Sequence, residues 1–131
     1  MNEDLVDQLV QEWGDVYKKG QLSFWVLLSL YEKRRYASEI TDFMTDVSGD
    51  TFEVKEQSLY RALRRFKDMG LVVITEEESP NSGPKRKYYS LTALGRSVLA
   101  GFTTQYIKPI TSEKIIRLLQ AVESEQHNEN C

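Results

Sequence analysis

Two clusters of nitrogen donors stand out. Between Lys55 and Met69, Gln57, Arg61, Arg64 and Arg65 lie on one side of a helical period, with Asp68 among them. Leu59, Leu63 and Phe66, joined by Ala62 and Met69, lie on the other. Further on, Lys85-Arg86-Lys87 follow directly on Gly83-Pro84. A glutamine can pair bidentately with adenine, and an arginine can reach guanine or a phosphate. Gln57 and Ser58 fall in the first turn of the helix, where base edges are met, and Arg61 and Arg64 follow within reach of guanine or phosphate. Arg65 and Lys67 suit phosphate contacts or rim charges. Each cluster alone also has a bland reading, a solvated helix face or an ordinary hairpin tip.

Other chemistry is poorly provided for. Among 131 residues there is one His, His127, and one Cys, Cys131, both near the end of a polar tail and expected to be inert. A Ser-His-Asp or Cys-His nucleophile lacks partners, and a His/Cys zinc site lacks ligands. No glycine-rich phosphate loop appears among the 7 Gly residues. We therefore expect no catalytic residues, no metal and no cofactor. With 40% hydrophobic and 28% charged residues, the chain has the composition of one globular domain. One terminal Cys and an acidic start suit a cytoplasmic protein, and the most apolar run, Leu22 to Leu30, is too short to span a bilayer.

The net charge of -3 argues against a polyanionic partner, but its distribution reverses that inference. Residues 1–17 hold five acidic and no basic residues, whereas residues 55–96 hold nine basic against five acidic. Local charge decides where a polyanion docks. Glu76, Glu77 and Glu78 would repel one and are expected to point away from it.

These groups need elements to hold them. Residues 3–17 have the spacing of an amphipathic helix with Leu5, Leu9, Trp13 and Val16 on one face and Asn2 as N-cap. Gly20 marks a break, and residues 22–33 read as a separate buried helix. Residues 36–47 form the next helix, Ser48-Gly49-Asp50 a turn, and residues 55–69 a third helix closed by Gly70. Residues 71–75 and 85–91 read as paired strands around a Pro/Gly loop, with one of Tyr88 and Tyr89 buried. Thr92 caps a helix that Pro109 breaks or kinks, and Ser112 caps a last one. The order is that of a winged helix-turn-helix: mainly α, with a two-stranded β-wing. The expected division is an N-terminal helix (1–19), a winged helix (20–92), a C-terminal helical region (93–126) and a tail (127–131).

Specific stretches also resemble the PadR family of transcriptional regulators. They are Tyr36-Ala37-Ser38-Glu39-Ile40, Ser58 through Phe66 (SLYRALRRF), Gly70-Leu71-Val72, and Gly83 through Gly95 (GPKRKYYSLTALG). The resemblance spans roughly residues 20–100. It implies a homodimer whose winged helix binds DNA and whose terminal helices form the dimer interface. It also implies repression, relieved in many members by a small molecule. Carried onto this chain, the DNA contacts fall on Tyr36, Ser38, Gln57, Ser58, Tyr60, Arg61, Arg64 and Lys85 to Lys87. Lys55 replaces a small polar cap residue and could meet a phosphate instead, and Pro109 interrupts the long C-terminal helix common in the family.

For the interface we expect Leu9, Trp13, Tyr17, Phe102, Tyr106, Ile116 and Leu119. Such residues usually serve packing; walls for a flat apolar or aromatic effector are the other use. The competing function is a winged-helix module that binds another protein and not DNA. The acidic N-terminal face motivates it.

Overall fold

The computed structural model describes residues 3–80 and 83–129. The expected cap Asn2, the loop residues Asn81 and Ser82, the His127 side chain and Cys131 lie outside that description. The chain forms two compact units, Met1–Arg96 and Ser97–Cys131.

The first unit begins with α1, Glu3–Glu32, an unbroken helix of 30 residues. The break expected at Gly20 does not occur. A glycine in a helix interior costs only about 1 kcal/mol, and good helix formers surround this one. Only the C-terminal part of α1 enters the core, through Val26, Leu27 and Leu30. Trp25 there is half-buried, with its ring 6.4 Å from that of Phe52.

Helix α2, Ala37–Ser48, contributes Ile40 and Met44 to the core. The Tyr36 N–H donates to the Glu39 carboxylate at its start. Helix α3, Glu56–Asp68, contributes Leu59, Ala62, Leu63 and Phe66 at helical spacing. It ends in a Schellman turn: Leu71 N–H donates to Phe66 O and Gly70 N–H to Lys67 O. Gly70 takes the left-handed conformation the turn needs, at φ 79°.

Strands β1, Val72–Glu77, and β2, Arg86–Leu91, pair antiparallel, from Val72 opposite Leu91 to Glu77 opposite Arg86. Alternation puts Ile74 and Tyr89 on one face and Thr75, Tyr88, Glu77 and Arg86 on the other. Tyr89 is the buried tyrosine of the pair. Arg35 adds a single bridge on the free edge of β2, exchanging both backbone hydrogen bonds with Tyr89.

The junction into α4, Ala93–Phe102, explains the Thr-x-x-Gly sequence. The Thr92 hydroxyl donates to Gly70 O and accepts from Gly95 N–H, so one side chain caps α4 and holds the end of α3. Thr92 N–H donates to Leu71 O. A Cβ on Gly95 would lie 2.2 Å from that same Leu71 oxygen, so only glycine fits.

In the second unit α4 runs into a π-helical turn, Thr103–Ile107, and a 3-10 turn, Lys108–Thr111, that contains Pro109. Pro109 thus separates two helices. The second, α5, spans Glu113–Glu129, and Ser112 Oγ accepts from Ile115 N–H at its start. It continues past the limit expected at 126, because residues 123–129 contain neither Gly nor Pro and are rich in Glu and Gln. No helix among the described residues is long and apolar enough to cross a membrane.

Candidate nucleic-acid interface

Helix α3 presents three flanks. At about 100° per residue, Gln57, Arg61, Arg64 and Asp68 form the ridge opposite the buried Leu59, Leu63 and Phe66. Tyr60 and Lys67 lie on the flank toward the wing. Arg65 lies on the other flank and donates to Ser23 Oγ of α1 at 2.9 Å. All of these ridge and flank side chains are exposed, and Ser58 is half-buried.

Between α3, the start of α2 and the wing lies a concavity of about 640 Å³. Arg64, Lys67, Lys85, Arg86 and Lys87 line it, with Tyr36, Ser38, Tyr60, Ile74 and Tyr89, and no carboxylate is part of the lining. Of the sequence-derived candidates, the concavity gathers Tyr36, Ser38, Tyr60, Arg64, Lys85, Arg86 and Lys87. Gln57 and Arg61 stand on the adjoining outward ridge, while Lys55 and Ser58 stand at the start of α3. Arg65 is engaged with α1 instead. Lys67, suited by its sequence position to a phosphate contact or a rim charge, is a full member of the wall.

The electrostatics follow from the strand register. Glu76 stands opposite Lys87 and Glu77 opposite Arg86, so two of the three wing acids face cations across the hairpin. Glu77 also binds Arg34 through both carboxylate oxygens, the second contact at 3.0 Å. Arg34 holds the Glu77 carboxyl below the usual carboxylate range, and the pair raises the Arg34 guanidinium in turn. With the folded value depressed, the pair persists at neutral and mildly acidic pH and is lost as pH falls through that lowered value. Burial pushes the Tyr89 phenol up, with a smaller contribution from Tyr60, so it stays neutral in the wall.

Sequence patterns did not single out Arg34 or Arg35. Arg35 is 8% exposed; its Nε donates to Ser29 O, and its Nη2 contacts Glu32. It closes the C-terminus of α1 against β2. Arg96, counted among the basic residues, lies over the Tyr31 ring and not in the concavity.

Lys55 occupies the N-cap of α3 without a side-chain cap bond. Lys55→Ser should add about 1 kcal/mol of stability, read by denaturant unfolding, by satisfying a first-turn N–H. If Lys55 also meets a phosphate, the same variant loses DNA affinity while gaining stability.

Comparison with known proteins gives a consistent family. The model of the transcriptional regulator PadR-like family matches residues 26–101. A PadR-like transcription factor from Bacteroides fragilis is 32% identical, with 72% of this chain and 87% of that one covered and a TM-score of 0.61. A PadR family regulator from Eggerthella lenta is 25% identical, with 89% and 94% covered and a TM-score of 0.65. Bacillus subtilis PadR, solved in complex with operator DNA, shares the fold at 20% identity and a TM-score of 0.59, with 65% of this chain and 48% of that one covered. The family model takes in both the basic concavity and the Thr92–Gly95 junction, and the matches set the chain among regulators rather than catalysts: it belongs to the PadR-like family of transcriptional regulators.

Proposed function

We propose that the chain works as a homodimer that binds a specific operator in duplex DNA and represses transcription in the cytoplasm. Helix α3 enters a major groove with Gln57, Ser58 and Arg61 toward the bases, and the wing lies on the adjoining backbone. The observation that carries this reading is the concavity walled by five cations and no acid between α3 and the wing. A wall of that composition suits phosphate, and its place beside the exposed ridge of α3 suits a DNA duplex. The operator complex of the Bacillus subtilis relative supports it by analogy.

The test is selection of bound duplexes from a random pool by the purified protein, followed by sequencing. A dimer should enrich an inverted repeat with half-sites about 34–36 Å apart or a multiple of that. No enrichment at low salt would sink the reading and favour the protein-binding alternative.

The dimer part rests on apolar side chains that a lone chain leaves in water. Leu9, Trp13 and Tyr17 follow one another at i, i+4 and i+8 along α1, and Trp13 is 76% exposed. In the second unit Phe102, Tyr106, Ile116 and Leu119 are exposed as well. A row of large apolar side chains of this kind marks an interface. Trp13→Asp should weaken self-association about a thousandfold by sedimentation equilibrium, because a two-fold dimer loses two copies of a buried aromatic anchor worth about 2 kcal/mol each. The subunit fold should survive, because Trp13 is not in its core. Response to a flat apolar effector is the last part of the proposal. It loses its support if substitutions at Trp13 and at Phe102 leave the response of DNA binding to cell metabolites unchanged.

A further inference from the structure

Among the described residues, the Arg34–Glu77 pair is the only side-chain hydrogen bond or ion pair that joins the hairpin to the helical part of the first unit, through the α1–α2 connection. It belongs to a longer stack. The Arg34 guanidinium lies 4.4 Å from the centre of the Tyr88 ring. Tyr88 meets Tyr36 edge-on at 5.5 Å, and Arg86 lies 4.7 Å over the other ring of that pair, Tyr36. Glu77, Tyr88 and Arg86 share one face of the hairpin, so the stack runs along its outer half. Tyr36 caps α2, and Arg34 adjoins the residue whose backbone pairs with Tyr89. The anchoring ends of the stack are therefore fixed to the core, and its free end is the tip that carries Lys85 to Lys87.

A two-stranded hairpin is marginal by itself. Its base is held here by buried Tyr89 and by the Arg35 bridge. Those contacts leave the angle of the outer half open. A bidentate arginine–carboxylate pair has the fixed planar geometry that can set such an angle. It also cancels the charge of the wing acid that would repel a phosphate.

We propose that Arg34 and Glu77 are positioning residues that fix the tilt of the wing and, through it, the backbone position that Lys85 to Lys87 reach. The consequence for DNA rests on the function proposed above; the clamp itself does not. Both side chains are nearly half exposed, so breaking the pair should leave the fold intact.

The experiment compares wild type, Arg34→Gln, Glu77→Gln and the exchanged pair carrying both Arg34→Glu and Glu77→Arg. Hydrogen exchange on the free proteins is measured first. In each single variant the paired amides of residues 75–77 and 86–88 should exchange about fivefold faster, the upper range for an exposed pair. The amides of Arg35 and Tyr89 should not change, and the exchanged pair should recover most of the protection. Hydroxyl-radical footprinting on the selected operator follows. The single variants should lose protection of the backbone flanking the major-groove contact and keep protection at its centre, with recovery in the exchanged pair.

Unchanged exchange in the single variants would overturn the proposal. So would a Glu77→Gln variant that binds more tightly with flanking protection intact, since Glu77 would then act only by repulsion. Were wild type to protect no duplex, the DNA reading would fall while the exchange rates still decided the clamp.

Discussion

Gly95→Ala should lower the midpoint of thermal unfolding by roughly 6–10 °C at fixed protomer concentration, a net loss of about 2 kcal/mol. The new Cβ would meet Leu71 O at 2.2 Å and Leu71 C at 3.1 Å. Both are backbone atoms, so no side-chain rotation relieves the clash. Relief requires α4 to lift away from the end of α3, which strains the Thr92 N–H to Leu71 O bond and the Thr92 hydroxyl's bond to Gly70 O. Overpacking of this kind costs about 3 kcal/mol at the upper end of its usual range. Alanine's better helix propensity returns up to about 1 kcal/mol. The control is Gly20→Ala in α1, where a Cβ would meet nothing within 4 Å. There only the propensity remains, and stability should rise by up to about 1 kcal/mol. Opposite signs for one chemical change at two helical glycines would locate the effect in the junction.

Arg64→Ala should weaken operator binding about a hundredfold, because a dimer loses two copies of a contact worth roughly 1–3 kcal/mol each. Arg64 belongs both to the outward ridge of α3 and to the wall facing the wing, the side nearest the backbone in the proposed pose. The loss should therefore be similar on every sequence, and the log–log dependence of affinity on salt should become shallower by about 2 per dimer. Arg61 stands on the ridge but outside the concavity. Its replacement by alanine should cost affinity on the operator and little on unrelated duplexes, with the salt slope nearly unchanged. Titrations at several salt concentrations on both DNAs separate the two. A uniform, slope-changing loss at Arg61 would reverse these assignments. Neither variant should alter the unfolding midpoint much, since both side chains are exposed.

What was legible in advance was local. The period of α3 gave its buried Leu59, Leu63 and Phe66 and its basic ridge, because a helix face repeats within a few residues. Thr92 and Ser112 were recognisable as caps from residue type alone. Pairwise geometry across the chain was not legible. Arg34 finds Glu77 43 residues away, and Arg35 bridges to Tyr89 across a similar gap; neither arginine carries a local mark of its role. The division of labour between Arg65 and Lys67 depends on which flank of α3 turns toward the wing. That is set by packing against α1 and β1, not by the helical period. Gly20 misled for a related reason: glycine weakens a helix by an amount that its surroundings can outweigh. The π-helical turn before Pro109 has no signal in residue type either, and proline alone announced an interruption without its form.

The continuity of α1 has a mechanical consequence. One end of this rod packs against α2, α3 and β2, and the other carries Trp13 in the open. At 1.5 Å per residue, Trp13 stands about 25 Å along the axis from Leu30. A tilt on the order of 2° about the wedged end therefore swings Trp13 through about 1 Å. Two helices hinged at residue 20 would absorb such a swing at the joint. A single rod carries it along its whole length to the end packed against α2, α3 and β2.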